Sequence, residues 1–259
     1  MRIITWNINS VRLRIDLVAE LVRQVNPDVL CLQEIKVVNE LFPAAALAEM
    51  GFVHQAVSGM KGYNGVATLS RLPITDMSVR NWCEKEDCRH IQTDIEGIRI
   101  HNFYVPAGGD IPDPDLNVKF AHKLKFLDEV TEWFGGQQDH PALLVGDLNI
   151  APLETDVWSH KQLLGVVSHT PIEVEKMAAW RQSLGWVDAV RRFVPPELRL
   201  YTWWSYRSSD WSVSDRGRRL DHVWATPSLA PRLTGAMVIH EARDWAPPSD
   251  HVPVMVDLV

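Results

Sequence analysis

The chain has 259 residues, of which 46% are hydrophobic and 23% are charged. This composition is typical of a globular protein and excludes a disordered or fibrous chain, and a chain of this length buries a large core without disulfide bonds. The formal net charge of −7 excludes a uniformly basic surface but leaves room for one basic face that binds nucleic acid.

The hydrophobic pattern predicts strands and helices from the first residues onward. Residues 2–8 are apolar and β-prone and predict a buried strand, and residues 11–25 repeat apolar side chains at helical spacing. Pro27 ends that helix, and residues 28–33 predict a second buried strand. Further strands are predicted at 65–70, 89–95, 98–105, 142–145, 200–204, 220–225, 236–240 and 252–258, and further helices at 118–134 and 171–184. This succession indicates an α/β protein.

The chain contains no linker-like or low-complexity stretch, so residues 1–259 are predicted to form a single domain. No apolar run approaches the ~18 residues of a membrane helix, and residues 1–9 lack the apolar stretch of a secretory signal. Cys31, Cys83 and Cys88 cannot all pair, which favours the reducing cytoplasm. Cys83, Cys88 and His90 could suggest a zinc clip, but their spacing fits no zinc pattern and a fourth ligand is missing.

Polar residues stand where several predicted strands begin or end. They are Asn7, Asn9, Glu34, Asp147, Asn149, Asp221, Asp250 and His251. Any one of them is more often a turn or cap residue than a catalyst. Together they are harder to dismiss, because α/β folds build their sites at strand ends and because each buried carboxylate needs a partner, a metal or solvent.

The chemistry that this set allows is narrow. Carboxylate and amide oxygens suit Mg²⁺ or Mn²⁺, and no Cys/His cluster argues for zinc. A histidine oriented by an aspartate, together with a hard cation and a carboxylate that holds water, favours phosphoester hydrolysis. The absence of a G-x-x-x-x-G-K-[ST] loop and of a G-x-S-x-G elbow argues against a nucleotide-dependent kinase and a serine hydrolase.

Seven motifs in order give the chain a specific resemblance. They are WNIN from residue 6, LQEIK from 32, NFYVP from 102, GDLNI from 146, YTWWSY from 201, RLD from 219 and PSDH from 248. This order resembles the exonuclease III / apurinic endonuclease family over essentially the whole chain. The resemblance implies a four-layer α/β sandwich with two mixed sheets face to face. It also implies a monomeric Mg²⁺-dependent nuclease, with Mn²⁺ as a substitute, that cuts duplex DNA 5′ to abasic sites and trims 3′ ends by 3′→5′ exonuclease or 3′-phosphatase action.

The resemblance also implies roles for individual residues. Glu34 matches the metal ligand, Asn9 assists it directly or through water, and Asp250 lies beside the metal and the phosphate. His251 matches the histidine that contacts the scissile phosphate, and Asp221 matches the aspartate that orients it. We expect the pKa of His251 to be raised, because the neighbouring carboxylate favours the imidazolium.

The remaining catalytic assignments concern the attacking water. Asp147 matches the residue that activates it and is the first choice as general base, with Tyr104, a matched phosphate ligand, as the second. Asn149 matches a residue that positions the water, and Asn7 matches one that supports Asp147.

The substrate is expected to meet an apolar wall and several cations. Trp203 matches the aromatic that packs on an abasic deoxyribose, with Trp204 beside it and Leu220 completing the wall. Because the two tryptophans are adjacent on a strand, one of them is expected to be core. Phosphate contacts are predicted for Lys61, Arg89, Arg207, Arg216, Arg218 and Arg219, although such charged runs are more often solvated faces.

Two alternatives remain open from the sequence. One is a phosphodiesterase of the same superfamily that acts on lipid headgroups, inositol phosphates or a nucleotide; the lack of a membrane-binding segment and the YTWWSY motif argue against it. The other is a catalytically silent DNA-binding or scaffold module, which the presence of every matched site residue disfavours.

Overall fold

The computed structural model describes residues 1–208 and 210–259. The strands are β1 (Arg2–Asn7), β2 (Val29–Gln33), β3 (His54–Ser58), β4 (Val66–Ser70), β5 (Ile74–Val79), β6 (His90–Ile95), β7 (Ile98–Tyr104), β8 (Ala142–Asp147), β9 (Val187–Asp188), β10 (Trp203–Trp204), β11 (Gly217–Arg218), β12 (Asp221–Ala225), β13 (Leu233–Val238) and β14 (Val254–Leu258). The helices are α1 (Ile15–Val25), α2 (Ala44–Glu49), α3 (Val118–Gly135), α4 (His160–Leu163), α5 (Pro171–Ser183) and α6 (Trp211–Ser214). Short 3-10 helices cover Asn39–Leu41, Glu154–Asp156, Ala230–Arg232 and His240–Asp244.

Two mixed six-stranded sheets form the centre of the molecule. Their strand orders are β13-β14-β1-β2-β4-β3 and β5-β6-β7-β8-β12-β9, and β10 and β11 form a separate two-stranded ribbon. The pairs β1–β2 and β7–β8 are parallel, and the other paired strands are antiparallel. Each sheet thus has one parallel pair at its centre.

Side-chain alternation along the central strands builds the layers. Ile3 of β1 and Val145 of β8 share the core between the two sheets. Their neighbours point the other way: Ile4 and Trp6 pack in the cluster that includes α1, and Leu144 packs in the cluster that includes α3 and α5. The predicted four-layer α/β sandwich is therefore confirmed.

Most predicted elements are confirmed to within a few residues, with informative exceptions. The helix expected at 11–25 begins only at Ile15. Residues 11–14 form a turn, and the backbone amides of Ser10 and Val11 donate to the carbonyls of Glu34 and Ile35. The strand expected at 200–204 is reduced to Trp203–Trp204. Strand β5 was not predicted, because most of its residues are exposed and show no alternation. Strand β3 and helix α2 were also not predicted.

The three cysteines are unpaired, and His90 Nε2 lies 3.1 Å from His101 Nδ1. Within the described part of the chain, Cys83, Cys88 and His90 do not form a cluster of metal-ligating atoms. In the same residues, none of the helices has the length and apolar character that crossing a bilayer requires.

Candidate active site

The polar strand ends meet at one edge of the sandwich. Strands β7 and β8 are parallel, so their last residues, Tyr104 and Asp147, are paired in register. Strand β12 runs antiparallel to β8, which sets its first residue, Asp221, opposite Asp147. A bridge between Trp203 and His251 places the histidine at the same edge. Tertiary pairing therefore gathers residues that are far apart in the sequence.

Asn7 connects the two sheets at this edge. Its Nδ2 donates to Oδ2 of Asp147 at 2.9 Å and to Oε1 of Glu34 at 3.0 Å. Every second side chain of β1 and β8 points into the space between the two sheets, including Ile3 and Val145. Asn7 and Asp147 point the same way, so they face each other. The inner face of the sandwich thus changes from apolar to polar where the strands end.

The glycine before Asp147 is required by a close backbone approach. Gly146 has a φ of +136°, and a Cβ there would lie 1.9 Å from the carbonyl oxygen of Phe103 on β7. A larger residue would push β8 away from β7 and move Asp147 with it.

His251 lies between two buried carboxylates. Its Nδ1 is 2.8 Å from Oδ2 of Asp221, and its Nε2 is 3.6 Å from Oδ2 of Asp147. Thr202 Oγ1 donates to the same Asp221 oxygen at 2.6 Å. Burial lowers the pKa of His251, but the carboxylates of Asp221 and Asp147 outweigh burial and raise it to about 10. The expected raised pKa is confirmed, and the ring is an imidazolium at neutral pH.

Asp147 is held by amide donors. The backbone N–H of Asn149 donates to its Oδ1 at 2.9 Å, and the Asn149 side chain donates to Oδ2 at 3.2 Å. Burial raises the pKa of Asp147, while the positive charge of His251 opposes this rise. A buried carboxylate with a raised pKa is suited to accepting a proton near neutral pH.

Tyr104 is a hydrogen-bond donor in this arrangement. Its hydroxyl donates to Oε1 of Glu34 at 2.8 Å. Burial raises its pKa well above the ordinary value, and the charges of Glu34 and Asp147 add to the rise. A phenol with such a pKa keeps its proton, which favours Asp147 over Tyr104 as the general base.

The three residues expected to hold a metal lie next to one another, and two of them, Glu34 and Asn9, contact one positive charge. The Lys36 ammonium lies 2.7 Å from Oε2 of Glu34 and 2.6 Å from Oδ1 of Asn9, and Asn9 donates to Oδ1 of Asp250 at 3.0 Å. Burial raises the pKa of both carboxyl groups, but neighbouring donors and positive charges outweigh it and lower both pKa values. Ionised hard oxygen donors around a cation are the ligand set that Mg²⁺ or Mn²⁺ prefers.

A second group of potential ligand atoms lies next to this corner. One atom each of Asp147, Asp221 and His251 lies within 4.8 Å of the others, and among residues 1–208 and 210–259 this is the one cluster of three or more His, Cys, Asp or Glu ligand atoms. The imidazolium form of His251 has no lone pair for a metal, so we interpret this group as an acid–base cluster.

The backbone around the site is strained. Asn9, Glu34, Lys36 and Asn149 all adopt left-handed φ values, between 47° and 54°. Such conformations are unfavourable for residues other than glycine, and they concentrate at functional sites where surrounding structure enforces them.

A cavity of about 250 Å³ opens beside these groups. Trp203, Leu220 and Val167 contribute its apolar lining, together with the polar residues described above. The indole N–H of Trp203 donates to Oδ2 of Asp250 at 2.9 Å. This bond connects the apolar wall of the cavity to one of the three expected metal ligands.

Trp204 packs in the core of the protein. It is 3% exposed, packs edge-on against Tyr201 and Trp211, and donates from Nε1 to Asp215. Successive strand residues face opposite sides, so Trp203 faces the site cavity and Trp204 does not. Trp204 borders a neighbouring, larger groove, and its contact with substrate stays a prediction.

The prediction for Arg219 needs a correction. Its side chain is 1% exposed, and its Nη2 lies 2.7 Å from both carboxylate oxygens of Asp188, with Nη1 3.7 Å from Asp156. It borders a separate cavity of about 350 Å³ that Met177 and Trp224 also line. Arg219 cannot contact DNA phosphates, because its guanidinium belongs to a buried ion-pair network.

Other predicted cations surround a groove of about 760 Å³ that shares Trp203 with the site cavity. Arg207 and Arg216 are exposed and line it, as does Arg218, whose guanidinium lies 5.3 Å from the Trp203 ring. Lys61 is exposed in the loop before β4, and Arg89 lies 4.9 Å from the Tyr104 ring in an ion pair with Asp87. Their phosphate contacts stay predictions.

Several site residues had no predicted role. Lys36 and Thr202 stand inside the LQEIK and YTWWSY motifs, so their positions carried a signal that was not used. Val167 and Ser168 of the cavity wall lie on a loop between helices α4 and α5, where the sequence offers no pattern.

Comparison with known proteins identifies the family of the chain. Residues 4–251 match the Endonuclease/Exonuclease/phosphatase family. The chain is 31% identical to exodeoxyribonuclease III of Haemophilus influenzae over 99% of both chains. It superposes with a TM-score of 0.92 on an AP endonuclease from Archaeoglobus fulgidus, at 34% identity, and on a 3′ phosphatase from Neisseria bound to a product DNA hairpin, at 32% identity, each covering 100% of this chain and 99% of the other. The site and these similarities together show that the chain belongs to the Endonuclease/Exonuclease/phosphatase family.

Proposed function

We propose that this chain is a metal-dependent DNA-repair nuclease of the exonuclease III type. It incises duplex DNA 5′ to abasic sites and trims 3′ ends by 3′→5′ exonuclease or 3′-phosphatase action. The observation that carries the proposal is the placement of His251 between Asp221 and Asp147, next to the cation corner of Glu34 and Asn9. The names of the similar proteins support the same substrate class.

The metal corner fits a hard divalent cation. Glu34, Asn9 and Asp250 would hold Mg²⁺, with Mn²⁺ as a substitute, because their oxygens are hard donors. The oxygens of Glu34 and Asn9 already contact the Lys36 ammonium, and Asp250 is hydrogen-bonded to Asn9. These residues would thereby place a positive charge that could neutralise the phosphodiester and the departing oxygen.

The chain's own residues supply the proton and hydrogen-bond chemistry. Asp147 accepts the proton of the attacking water, and Asn7 and Asn149 hold its carboxylate in place. The imidazolium of His251 donates from Nε2 to a phosphate oxygen, with Asp221 fixing the ring through Nδ1. Tyr104 donates to Glu34 and keeps that carboxylate oriented.

The substrate lies against the aromatic wall and the basic groove. Trp203 and Leu220 receive an extruded deoxyribose that has lost its base. Arg207, Arg216 and Arg218 contact the backbone phosphates. These arginines give one face of the protein a local positive charge, although the net charge of the chain is −7. The protein acts as a single-domain monomer in the cytoplasm, a compartment that its unpaired cysteines favour.

The test is incubation of the purified protein with a duplex that carries one tetrahydrofuran abasic analogue. We expect incision 5′ to the lesion in Mg²⁺ or Mn²⁺, no incision in EDTA, and loss of incision in Asp147→Asn. The matched control is Asp128→Asn, which changes an exposed carboxylate on α3.

Three outcomes separate the alternatives. Turnover of small phosphoesters without incision of abasic DNA would favour the small-molecule phosphodiesterase. Binding of abasic DNA without cleavage in either metal would favour the silent module. Full activity of Asp147→Asn would refute the proposed role of that carboxylate.

A further inference from the structure

Two charged side chains are completely buried behind the site. Lys123 of α3 and Glu173 of α5 have no exposed side-chain surface, and Lys123 Nζ lies 2.5 Å from Oε1 of Glu173. Removing two charges from water is costly, and apolar residues of similar volume often stabilise a protein equally well. The attraction between the two charges therefore does not explain why they are buried, and their contacts with the surrounding loops are the more informative feature.

Lys123 joins two loops that carry site residues. Its Nζ donates to the carbonyl oxygen of Asn149 at 2.8 Å and to that of Ala107 at 3.3 Å. Asn149 is also the residue whose backbone and side chain hold Asp147. The ammonium thus holds the carbonyl of Asn149, while the N–H and side chain of the same residue hold Asp147.

Glu173 holds the third loop. Its two oxygens accept from the backbone N–H of Ser168 at 3.0 and 2.9 Å, and Oε2 accepts from the hydroxyl of Thr170 at 2.7 Å. Ser168 has a φ of +87°, an unfavourable conformation that these bonds enforce. The Ser168 carbonyl in turn accepts from the N–H of Ala151, which connects this loop to the loop of Asn149.

The loop of Gly108 packs closely against Lys123 and the loop of Val167. A Cβ on Gly108 would lie 2.9 Å from Cδ of Lys123 and 3.0 Å from Cγ1 of Val167. Ala107, Gly109, Asn149, Val167 and Ser168, all from these loops, line the 250 Å³ site cavity.

We propose that Lys123 and Glu173 are positioning residues: their buried ion pair fixes the three loops that form one wall of the catalytic cavity and holds Asn149 against Asp147. Neither side chain touches the substrate. This inference deepens the proposed nuclease function and rests on it for its kinetic part.

The informative variant is Lys123→Met/Glu173→Gln, which leaves neither charge buried without a partner, whereas each single change does. Lys176→Met/Asp128→Asn is the matched control, because that pair also joins α3 and α5, at 2.5 Å, but lies at the surface. We expect the buried double variant to remain folded with kcat on the abasic duplex reduced by about tenfold or more, because small displacements of reacting groups are expensive. The control should stay within about twofold of wild type.

Hydrogen exchange measured by mass spectrometry gives a readout that does not depend on activity. Peptides covering 105–110, 148–152 and 166–171 should exchange about tenfold faster in the buried double variant, with the rest of the chain unchanged. An inactive wild-type protein would refute the proposed function, and the exchange data would still test the pair.

The inference would be overturned if the three loops of the buried double variant exchanged at the wild-type rate, or if exchange became faster throughout the chain. So would an active wild type whose kcat and KM are unchanged in the buried double variant. A fall in kcat confined to variants that have lost their melting transition would likewise show a purely structural pair.

Discussion

The imidazole Nδ1 of His251 lies 2.8 Å from Oδ2 of Asp221, and both side chains are buried. This contact leaves Nε2 as the one ring nitrogen directed to Asp147, 3.6 Å away. A histidine that is charged, oriented and next to a candidate base combines the two requirements of phosphodiester hydrolysis, proton removal and stabilisation of negative charge.

Replacing Asp221 by Asn removes the charge that keeps His251 protonated and leaves an amide of the same shape. We expect kcat on the abasic duplex to fall by about a hundredfold or more. Thr202→Val removes another hydrogen-bond partner of the same Asp221 oxygen but keeps the carboxylate charge. In this variant kcat should fall by less than about tenfold. Steady-state kinetics at pH 7.5 checks both values, and similar losses in the two variants would contradict this account.

The two adjacent tryptophans should respond differently to truncation. Trp204→Ala removes a buried ring and should lower the free energy of unfolding by about 3–5 kcal/mol. Trp203→Ala opens the cavity wall and should raise KM for the abasic duplex by about tenfold, with a smaller loss of stability. Urea unfolding and kinetics measure the two effects, and equal destabilisation would show that Trp203 is also core.

Arg219→Met should destabilise the protein without a direct effect on DNA binding. The change removes the arginine that pairs with the buried carboxylate of Asp188, and breaking a buried pair typically costs about 3–5 kcal/mol. Asp156 keeps its ion pair with Arg191 at 2.6 Å. Urea unfolding at pH 7 checks this, while DNA affinity measured well below the unfolding midpoint should stay within about threefold of wild type.

Arg216→Ala is predicted to have the opposite profile. Its guanidinium lies over the ring of Trp158 on an exposed groove, so its loss should weaken DNA binding and leave the unfolding midpoint unchanged. The slope of log affinity against log salt concentration should decrease by about one, as expected for one lost phosphate contact. An unchanged slope would remove Arg216 from the DNA interface.

Two buried histidines contribute a predictable part of the pH dependence of stability. Burial lowers the pKa of His90 to about 3, and it lowers the pKa of His101 well below the ordinary value. Unfolded histidines titrate near pH 6.5, so below that pH the unfolded state binds more protons and stability falls with falling pH. Each histidine should contribute about 1.4 kcal/mol per pH unit between pH 6 and 4. His222 acts in the same direction, because burial lowers its pKa to about 3, and the raised pKa of His251 acts in the opposite direction.

The check is the urea midpoint measured at pH 7 and pH 5. His90→Phe/His101→Phe keeps aromatic rings beside Phe103 and Phe134 and should show a smaller loss between the two values. His54→Gln, at the partly exposed end of β3, should retain the wild-type loss. An unchanged loss in the double phenylalanine variant would refute the assignment to this pair.

Much of the architecture was predictable because it depends on local patterns. Apolar alternation and helical spacing located the central strands and the long helices, and the polar residues after the strands identified Glu34, Asp147 and His251 as site candidates. The motif order predicted the family before any contact was known. Each strand, helix and motif is a pattern within a short stretch of the sequence, where side-chain periodicity reports the local structure directly.

The orientation of adjacent residues depended on the tertiary structure. The sequence did not distinguish Trp203 from Trp204 or Arg218 from Arg219, because a run of tryptophans or arginines does not show which member faces the sheet's interior. Likewise, no local pattern connects Lys123 with Glu173, or brings the loop of Ser168 to that of Asn149. The sequence determined the elements and the chemical groups that they carry, whereas packing between distant segments decided which groups are buried in ion pairs and which face the cavity.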